Sequence, residues 1–193
     1  SCATLERMRT PFHVMAKPAG PACNLACAYC FYLEKQHAFP SGTQFRMSPD
    51  VLEAFVRQYI ESQDTPEVNF AWQGGEPTLL GVPFYREAFA LQQKYANGKR
   101  ISNSMQTNGV LLDDAWGEFL HEHNVLIGIS IDGPRELHDH YRQFRGGQGS
   151  FDAVMRGLET LRKHKVEFNT LTVVNAVNAR EPLSVYRFLK EAG

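Results

Sequence analysis

Three cysteines, Cys23, Cys27 and Cys30, fall within eight residues of one another and have the clearest chemical potential in this chain. A four-iron four-sulfur cluster is normally held by four thiolates. Three thiolates would leave one iron without a protein ligand, and a small molecule could bind that iron and receive an electron. The three cysteines therefore predict a cluster with one open iron.

Two other interpretations of the cysteines remain open. Zinc also takes thiolates, but His37, the closest candidate for a fourth ligand, lies seven residues beyond Cys30 and not at finger-like spacing. The spacing would also suit a buried stripe of thiols on a helix, although Pro21 and Asn24 disfavour a long apolar helix here. The pattern favours the cluster over zinc, and zinc over inert core thiols. Cys2 stands apart, and we expect a mobile, reduced thiol there.

The composition is that of an ordinary globular protein. Of the 193 residues, 43% are hydrophobic and 21% are charged, which suits one domain. The net charge of −1 gives no electrostatic reason to bind nucleic acid or an anionic membrane. We find no apolar run of membrane-spanning length and no leader pattern. With few cysteines, we expect a cytoplasmic protein that binds neither nucleic acid nor a membrane.

Short β-branched or aromatic runs alternate with helical patterns along the chain. Strands are predicted at residues 12–17, 68–72, 101–106, 125–131 and 168–174. Helices are predicted from Pro49 to about Ile60, at residues 83–95, 113–124, 151–165 and 183–191, with Ser48 and Ser150 as N-caps of two of them. This alternation predicts an α/β fold with parallel strands and right-handed crossovers.

Ligands of such sheets bind in the loops that follow the carboxyl ends of the strands. Here those loops are residues 18–32, which hold the cysteines, and residues 73–80, 107–109 and 132–149. In the second loop, Gly74 and Gly75 allow a close approach of backbone to ligand. Glu76 and the neighbouring carbonyls can accept hydrogen bonds from an ammonium group. One site built from these loops is therefore expected.

Two other features are given ordinary interpretations. The histidine pairs His121/His123 and His138/His140 have a spacing of two, which does not place both members on one helical face. We expect them to be solvated and not to bind metal. The glycine-rich loop at residues 146–149 lacks the basic residues of a phosphate-binding P-loop, and we expect a flexible segment before a helix.

The motifs resemble the radical S-adenosylmethionine superfamily. The resemblance rests on Cys-x3-Cys-x2-Cys with Tyr29 before the last cysteine, followed by Gly-Gly-Glu-Pro at the next strand end. Within the superfamily, the anaerobic sulfatase-maturating enzymes are the most similar family, on the segments Cys-Asn-Leu-Ala-Cys-Ala-Tyr-Cys-Phe-Tyr, Gln-Gly-Gly-Glu-Pro-Thr-Leu, Gln-Thr-Asn-Gly, Ser-Ile-Asp-Gly-Pro and His-Asp-His-Tyr-Arg. The resemblance implies a partial (β/α) barrel with about five of an expected six βα units. It also implies one core domain over residues 1–193, truncated before a carboxy-terminal region that binds auxiliary clusters.

The resemblance further implies roles for particular residues. Cys23, Cys27 and Cys30 would hold a 4Fe-4S cluster whose open iron chelates S-adenosyl-L-methionine. The amino group of S-adenosylmethionine would be bound by the loop of Gln73, Gly74, Gly75, Glu76 and Pro77. Ser130 and Arg142 would contact the ribose and the carboxylate. The backbone at Tyr29 would contact the adenine. Tyr32 is a candidate contact for a substrate peptide. The general base would lie beyond residue 193 and is not assigned.

The implied reaction is the oxidation of a Cys or Ser of a sulfatase peptide to Cα-formylglycine. A reduced cluster would cleave S-adenosylmethionine, and the resulting 5′-deoxyadenosyl radical would remove a hydrogen atom from the peptide. The electron donor would be a flavodoxin or a ferredoxin. Two alternatives remain, namely another peptide maturase, for example one that forms a thioether crosslink, and a zinc-stabilised binding module without catalysis.

Overall fold

The centre of the fold is a five-stranded parallel sheet, seen in a computed structural model that describes residues 10–193. Its strands are β1 (Met15–Ala16), β2 (Glu67–Trp72), β3 (Arg100–Thr107), β4 (Leu126–Ser130) and β5 (Phe168–Leu171). Spatial order follows chain order, and every neighbouring pair is parallel. The sheet is open, so the predicted partial (β/α) barrel is confirmed. Cys2 lies outside the described residues.

Within residues 10–193, six α-helices connect and cover the strands. They are α1 (Pro49–Ser62), α2 (Gly81–Tyr95), α3 (Asp114–Glu122), α4 (Arg135–Tyr141), α5 (Phe151–Lys163) and α6 (Pro182–Ala192). Short 3-10 helices lie at Glu34–Ala38, Pro77–Leu80 and Asn178–Arg180. The five predicted helices are present, and their ends differ from the predicted ones by a few residues at most.

Three predictions about secondary structure are wrong. The predicted first strand at residues 12–17 is only the two-residue β1, an edge strand that pairs with β2 alone. The predicted fifth strand ends at Leu171, where its pairing with β4 ends. The segment predicted to be a loop contains helix α4. The sequence did not indicate this helix, because its seven residues are mostly charged or histidine and show no apolar periodicity.

The two predicted serine caps have different outcomes. Ser48 caps α1, since its Oγ accepts a hydrogen bond from the amide of Val51 at 3.4 Å. Ser150 precedes α5 but does not cap it, because its hydroxyl donates to the carbonyl of Arg142 at 2.8 Å. Asp139 supplies the acceptor in its place, with Oδ1 2.8 Å from the amide of Phe151. Ser150 therefore holds the loop before α5 and not the helix end.

The core lies between one face of the sheet and the helices. Alternate residues of β2, namely Val68, Phe70 and Trp72, are buried there, as the period of two in a strand requires. The opposite face borders an open cavity of about 300 Å³, whose lining combines apolar residues such as Met15, Leu126 and Leu171 with the polar residues Gln73, Ser104, Gln106 and Asn169. The carboxyl ends of the strands open toward the loops that carry the motifs.

Gly157 sets how closely α5 approaches the loop after β3. A Cβ atom at this position would lie 2.1 Å from the carbonyl oxygen of Gly109. We predict that Gly157→Ala lowers the free energy of unfolding by about 2 kcal/mol in urea denaturation, although alanine is the better helix former. Gly146→Ala is the control, because its Cβ would meet the end of the exposed side chain of Gln148, which can rotate. Equal effects of the two substitutions would contradict this account.

Candidate active site

Most of the predicted site residues meet at the carboxyl edge of the sheet. A cavity of about 160 Å³ is lined by Cys23, Cys27, Cys30, Tyr29, Gln73, Gly74, Gly75, Glu76, Ser130 and Arg142, together with Leu25, Gln106, Thr107 and Asn108. Two predicted residues do not line it. Pro77 begins a 3-10 helix, and the ring of Tyr32 lies under the ammonium group of Lys17, with Nζ 4.5 Å from the ring centroid.

The segment that carries the cysteines is a series of turns and not a helix, so the alternative of a buried helical stripe is wrong. The amide of Cys30 donates to the carbonyl of Cys27 at 2.8 Å. The segment is held from outside by the end of α4, where the amides of Ala26 and Ala28 donate to the carbonyls of Gln143 and Tyr141 at 2.7 and 3.0 Å. All three thiols are thereby directed to one cavity.

The cysteine thiols lie in a desolvated environment. Burial raises the pKa of Cys23 to about 11 and also raises the pKa values of Cys27 and Cys30. The cation of Arg142 acts in the opposite direction on the pKa values of Cys27 and Cys30. A metal that binds here must displace the thiol protons. Between residues 10 and 193, no three His, Cys, Asp or Glu side chains are close enough to share a single metal ion.

The glycine loop packs directly against the cysteine segment. The amides of Gly75 and Glu76 donate to the carbonyls of Gly20 and Ala22 at 2.8 and 2.7 Å. A Cβ atom on Gly75 would lie 2.0 Å from the carbonyl oxygen of Ala22. Gly75 was predicted to allow the close approach of a ligand, but it allows the close approach of the backbone at Ala22. Any side chain at this position would separate the two loops.

The carboxylate of Glu76 is 1% exposed and accepts four hydrogen bonds. Oε1 accepts from the amide and the hydroxyl of Thr78 at 3.0 and 2.6 Å and from the hydroxyl of Thr107 at 2.7 Å. Oε2 accepts from the amide of Asn108 at 2.8 Å. Burial raises the pKa of Glu76, and these donors act against that rise. The side chain therefore ties the loops after β2 and β3 together.

Asp132 is a buried residue of the site to which the sequence assigned no role. Its carboxylate accepts from the hydroxyl of Tyr29 at 2.5 Å, from Nη2 of Arg142 at 3.1 Å and from the amide of Val173 at 3.0 Å. Arg142 is consequently a buried ion-pair member, with its guanidinium 5.5 Å from the ring centroid of Tyr29. The available signal was the Ser-Ile-Asp-Gly-Pro motif, which contains Asp132.

Among residues 10–193, two buried nitrogens in or next to the site lack a hydrogen-bond acceptor. Nε of Arg142 lies 3.0 Å from Oδ2 of Asp132, but at an angle that forms no hydrogen bond. Nδ2 of Asn24 also has no acceptor. Buried donors normally find a partner, so this pair indicates a missing acceptor. A cavity that combines thiols with such donors fits a metal cluster accompanied by a ligand with a carboxylate.

Ser130 ends β4 and lines the cavity. Its Oγ accepts a hydrogen bond from Nε2 of Gln106 at 2.9 Å. The side chain of Gln106 lines the same cavity, and the sequence had indicated no role for it. The two side chains place a polar pair beside the thiols.

His138 contradicts the expectation of solvated histidines. It is fully buried, with Nδ1 accepting from the amide of Asp132 at 3.3 Å and Nε2 lying 3.0 Å from Oγ of Ser150. Burial, together with the nearby Arg142, lowers its pKa from 6.5 to about 4. The neutral imidazole of His138 therefore accepts a hydrogen bond from the backbone of Asp132 and helps to hold it in place. His140, in contrast, is exposed as predicted.

Comparison with known proteins agrees with this geometry. The Radical SAM superfamily matches residues 18–189. The chain belongs to this superfamily. It is 50% identical over 181 residues to the serine-type anaerobic sulfatase-maturating enzyme of Bacteroides thetaiotaomicron, covering 94% of this chain and 44% of the relative. It is 41% identical over 187 residues to the cysteine-type enzyme of Clostridium perfringens, covering 94% and 49%.

A solved radical SAM structure gives the same fold. Native anSMEcpe with bound AdoMet and Cp18Cys peptide superimposes with a TM-score of 0.84 at 41% identity, covering 92% of this chain and 47% of that chain. The resemblance seen in the sequence is thus confirmed. This radical SAM chain spans about half the length of the curated relatives it matches.

None of the helices described between residues 10 and 193 has the length and apolar character needed to span a membrane.

The buried Asp132–Arg142 pair yields a stability prediction for this radical SAM chain. Asp132→Asn leaves the guanidinium buried without a counter-charge, so we expect the free energy of unfolding to fall by about 3 kcal/mol. Asp152→Asn, which breaks the exposed pair with Arg135, should change it far less. Urea denaturation of both variants tests this, and equal losses would contradict the structural role of Asp132.

The buried imidazole of His138 yields a pH prediction. Because the folded pKa of about 4 lies below 6.5, the unfolded chain binds one more proton in that interval and stability falls as pH decreases. The loss should approach roughly 3 kcal/mol at pH 4. His138→Gln should flatten the dependence of the unfolding free energy on pH between 6.5 and 4, whereas His140→Gln should leave its slope unchanged. An unaltered slope in His138→Gln would refute the assignment.

Proposed function

We propose that this chain carries the cofactor site of an anaerobic sulfatase-maturating enzyme. Cys23, Cys27 and Cys30 hold a 4Fe-4S cluster, and S-adenosylmethionine binds beside it. The reaction is the oxidation of a Cys or Ser of a sulfatase to Cα-formylglycine. The observation that supports this proposal most strongly is the convergence of the three thiols, the Gly74–Glu76 loop and Arg142 on one cavity. We treat residues 1–193 as one radical SAM core domain.

When bound by Cys23, Cys27, Cys30 and the neighbouring loops, the cluster and S-adenosylmethionine would supply the radical chemistry of the reaction. The protein binds and orients the reactants. Arg142 provides a buried cation for the carboxylate of S-adenosylmethionine, and its planar fork suits such an anion. Its Nε lies 3.0 Å from Oδ2 of Asp132 but forms no hydrogen bond within residues 10–193, which supports this contact. Ser130 at the end of β4 contacts the ribose, and the backbone at Tyr29 contacts the adenine.

The amino group of S-adenosylmethionine is assigned to the Gly74–Pro77 loop, next to Gln73. Because the carboxylate of Glu76 already accepts four hydrogen bonds, the loop carbonyls are the more available acceptors. Backbone carbonyls can bind an ammonium group without repositioning a buried charge. Glu76 then acts chiefly by fixing the loop, and Pro77 by starting the 3-10 helix that follows it.

The substrate is proposed to be a peptide or unfolded segment of a sulfatase. The open cavity of about 300 Å³ on the inner face of the sheet lies beside Gln73 and Gln106, which line the thiol cavity as well. A peptide placed there would present its side chain toward the cofactor, and Tyr32 remains a candidate contact. Relatives include serine-type and cysteine-type enzymes, so both substrates are included in the proposal. A flavodoxin or ferredoxin in the cytoplasm would supply the electron.

Anaerobic assays test the proposal directly. Protein reconstituted with iron and sulfide is incubated with dithionite, S-adenosylmethionine and sulfatase peptides carrying either Cys or Ser at the target position. We expect 5′-deoxyadenosine and methionine, detected by mass spectrometry. In protein that also carries the region expected beyond residue 193, we expect in addition a peptide aldehyde, detected by hydrazide capture. Cys27→Ala should abolish all three products, whereas the matched control Cys2→Ser should retain them.

The other outcomes discriminate between the alternatives. Cofactor cleavage with a thioether-containing peptide and no aldehyde would assign the chain to another class of peptide maturase. Stoichiometric zinc, no iron and no cofactor cleavage would reject the enzyme altogether. A peptide whose target residue is replaced by Ala controls for cofactor cleavage that is not coupled to oxidation.

A further inference from the structure

Asn108, in the loop after β3, connects the Glu76 loop to the cysteine segment. Its amide donates to Oε2 of Glu76 at 2.8 Å. Its side-chain Nδ2 donates to Oδ1 of Asn24 at 2.7 Å and lies 3.7 Å from Sγ of Cys23, within hydrogen-bond distance of a sulfur. The side-chain Oδ1 accepts from the amide of Val110 at 3.0 Å. Contacts at both ends therefore fix the orientation of this amide group.

The sulfur of Cys23 consequently has two N–H donors. The amide of Leu25 lies 3.4 Å from it, and Nδ2 of Asn108 lies 3.7 Å from it. Among the residues that the structure describes, Asn108 supplies the side-chain amide that hydrogen-bonds to a cysteine sulfur. Asn108 itself is only 7% exposed, so water does not readily replace this donor.

We propose that Asn108 raises the reduction potential of the cluster held by Cys23, an inference that rests on the proposed function. In the reduction step, a donor of the flavodoxin or ferredoxin class gives one electron to the cluster, and no bond or proton changes. The added negative charge is shared by the thiolate sulfurs. An N–H group aimed at such a sulfur stabilises the more negative state, which makes reduction easier.

The position of Asn108 also keeps this donor in register with the cofactor loop. Its backbone is held by the buried Glu76, while its side chain contacts the cysteine segment. A hydrogen bond to sulfur is weak and sensitive to direction, so a flexible surface amide would not maintain it. Asn108 thus acts on the cluster and not on the substrate, because it holds a hydrogen-bond donor beside the sulfur of Cys23.

The test is an anaerobic redox titration of the wild type, Asn108→Ala and Asn108→Asp, followed by electron paramagnetic resonance. Asn108→Asp keeps an acceptor for the amide of Val110 but replaces the donor with an anionic oxygen. We expect a more negative midpoint potential in Asn108→Ala and a still more negative one in Asn108→Asp. Asn69→Ala is the control, since its amide contacts Ser102 in the neighbouring strand at 3.0 Å, and its potential should equal that of the wild type.

Each other outcome overturns the inference. Variants that retain iron and titrate at the wild-type potential, or at a higher one, show that Asn108 does not tune the cluster. An equal shift in Asn69→Ala shows that the effect is not specific to the sulfur contact. Loss of iron from both Asn108 variants with an unchanged circular dichroism spectrum assigns a structural role instead. If the wild type itself binds no cluster, the proposed function fails as well, and the two failures are thereby distinguished.

Discussion

A buried carboxylate that must be surrounded by donors determines the geometry of this site. Removing the charge of Glu76 from water costs free energy unless hydrogen bonds replace the lost hydration. The four donors that do so come from Thr78, Thr107 and Asn108. The ends of β2 and β3 are therefore held together at the level of the cavity. Because the amides of Gly75 and Glu76 bond to the cysteine segment, the same interaction also positions the thiols.

Asp132 performs the corresponding task on the other side of the cavity. It joins the cysteine segment through Tyr29, the end of α4 through Arg142 and the loop after β5 through Val173. Burial raises the pKa values of Cys27 and Cys30, and the buried cation of Arg142 lies close enough to the two thiols to offset part of that rise. A positive charge at this place favours thiolates, and with them the binding of an anionic cluster. The two acidic residues thus support the cysteine segment from opposite sides.

The sequence predicted those parts of the fold that have strong local signals. Strand β2 has Val68, Phe70 and Trp72 at alternate positions, and β4 has Ile127 and Ile129. Ser48 with Pro49 marks the start of α1, so these elements were found. Helix α4 was missed because its burial depends on His138 and Leu137, which carry no helical periodicity within seven residues. β1 was overextended because only two of its residues have a pairing partner, a tertiary property that a local pattern does not contain.

The sequence likewise indicated some parts of the candidate site and not others. Most residues of the cysteine and glycine motifs line one cavity, but the motifs did not reveal how their side chains are used. Glu76 was expected to face a ligand, yet its carboxylate is occupied by internal donors. Asp132 and His138 have roles that arise only from contacts between loops distant in the chain, and Asn108 gains its contact with Cys23 in the same manner. Charge burial and pairing are set by the fold as a whole, so a single sequence does not reveal them.

The central claim is that three cysteines hold a cluster whose remaining iron is open to S-adenosylmethionine. Electron–nuclear double resonance of the reduced protein, with S-adenosylmethionine labelled isotopically in its amino nitrogen and carboxylate oxygens, measures this directly. The account predicts hyperfine coupling from both labelled positions, which indicates coordination to iron, and its disappearance when the three cysteines are replaced by alanine. A reduced cluster that shows no coupling to either label, or one that persists with coupling in the triple variant, would contradict it.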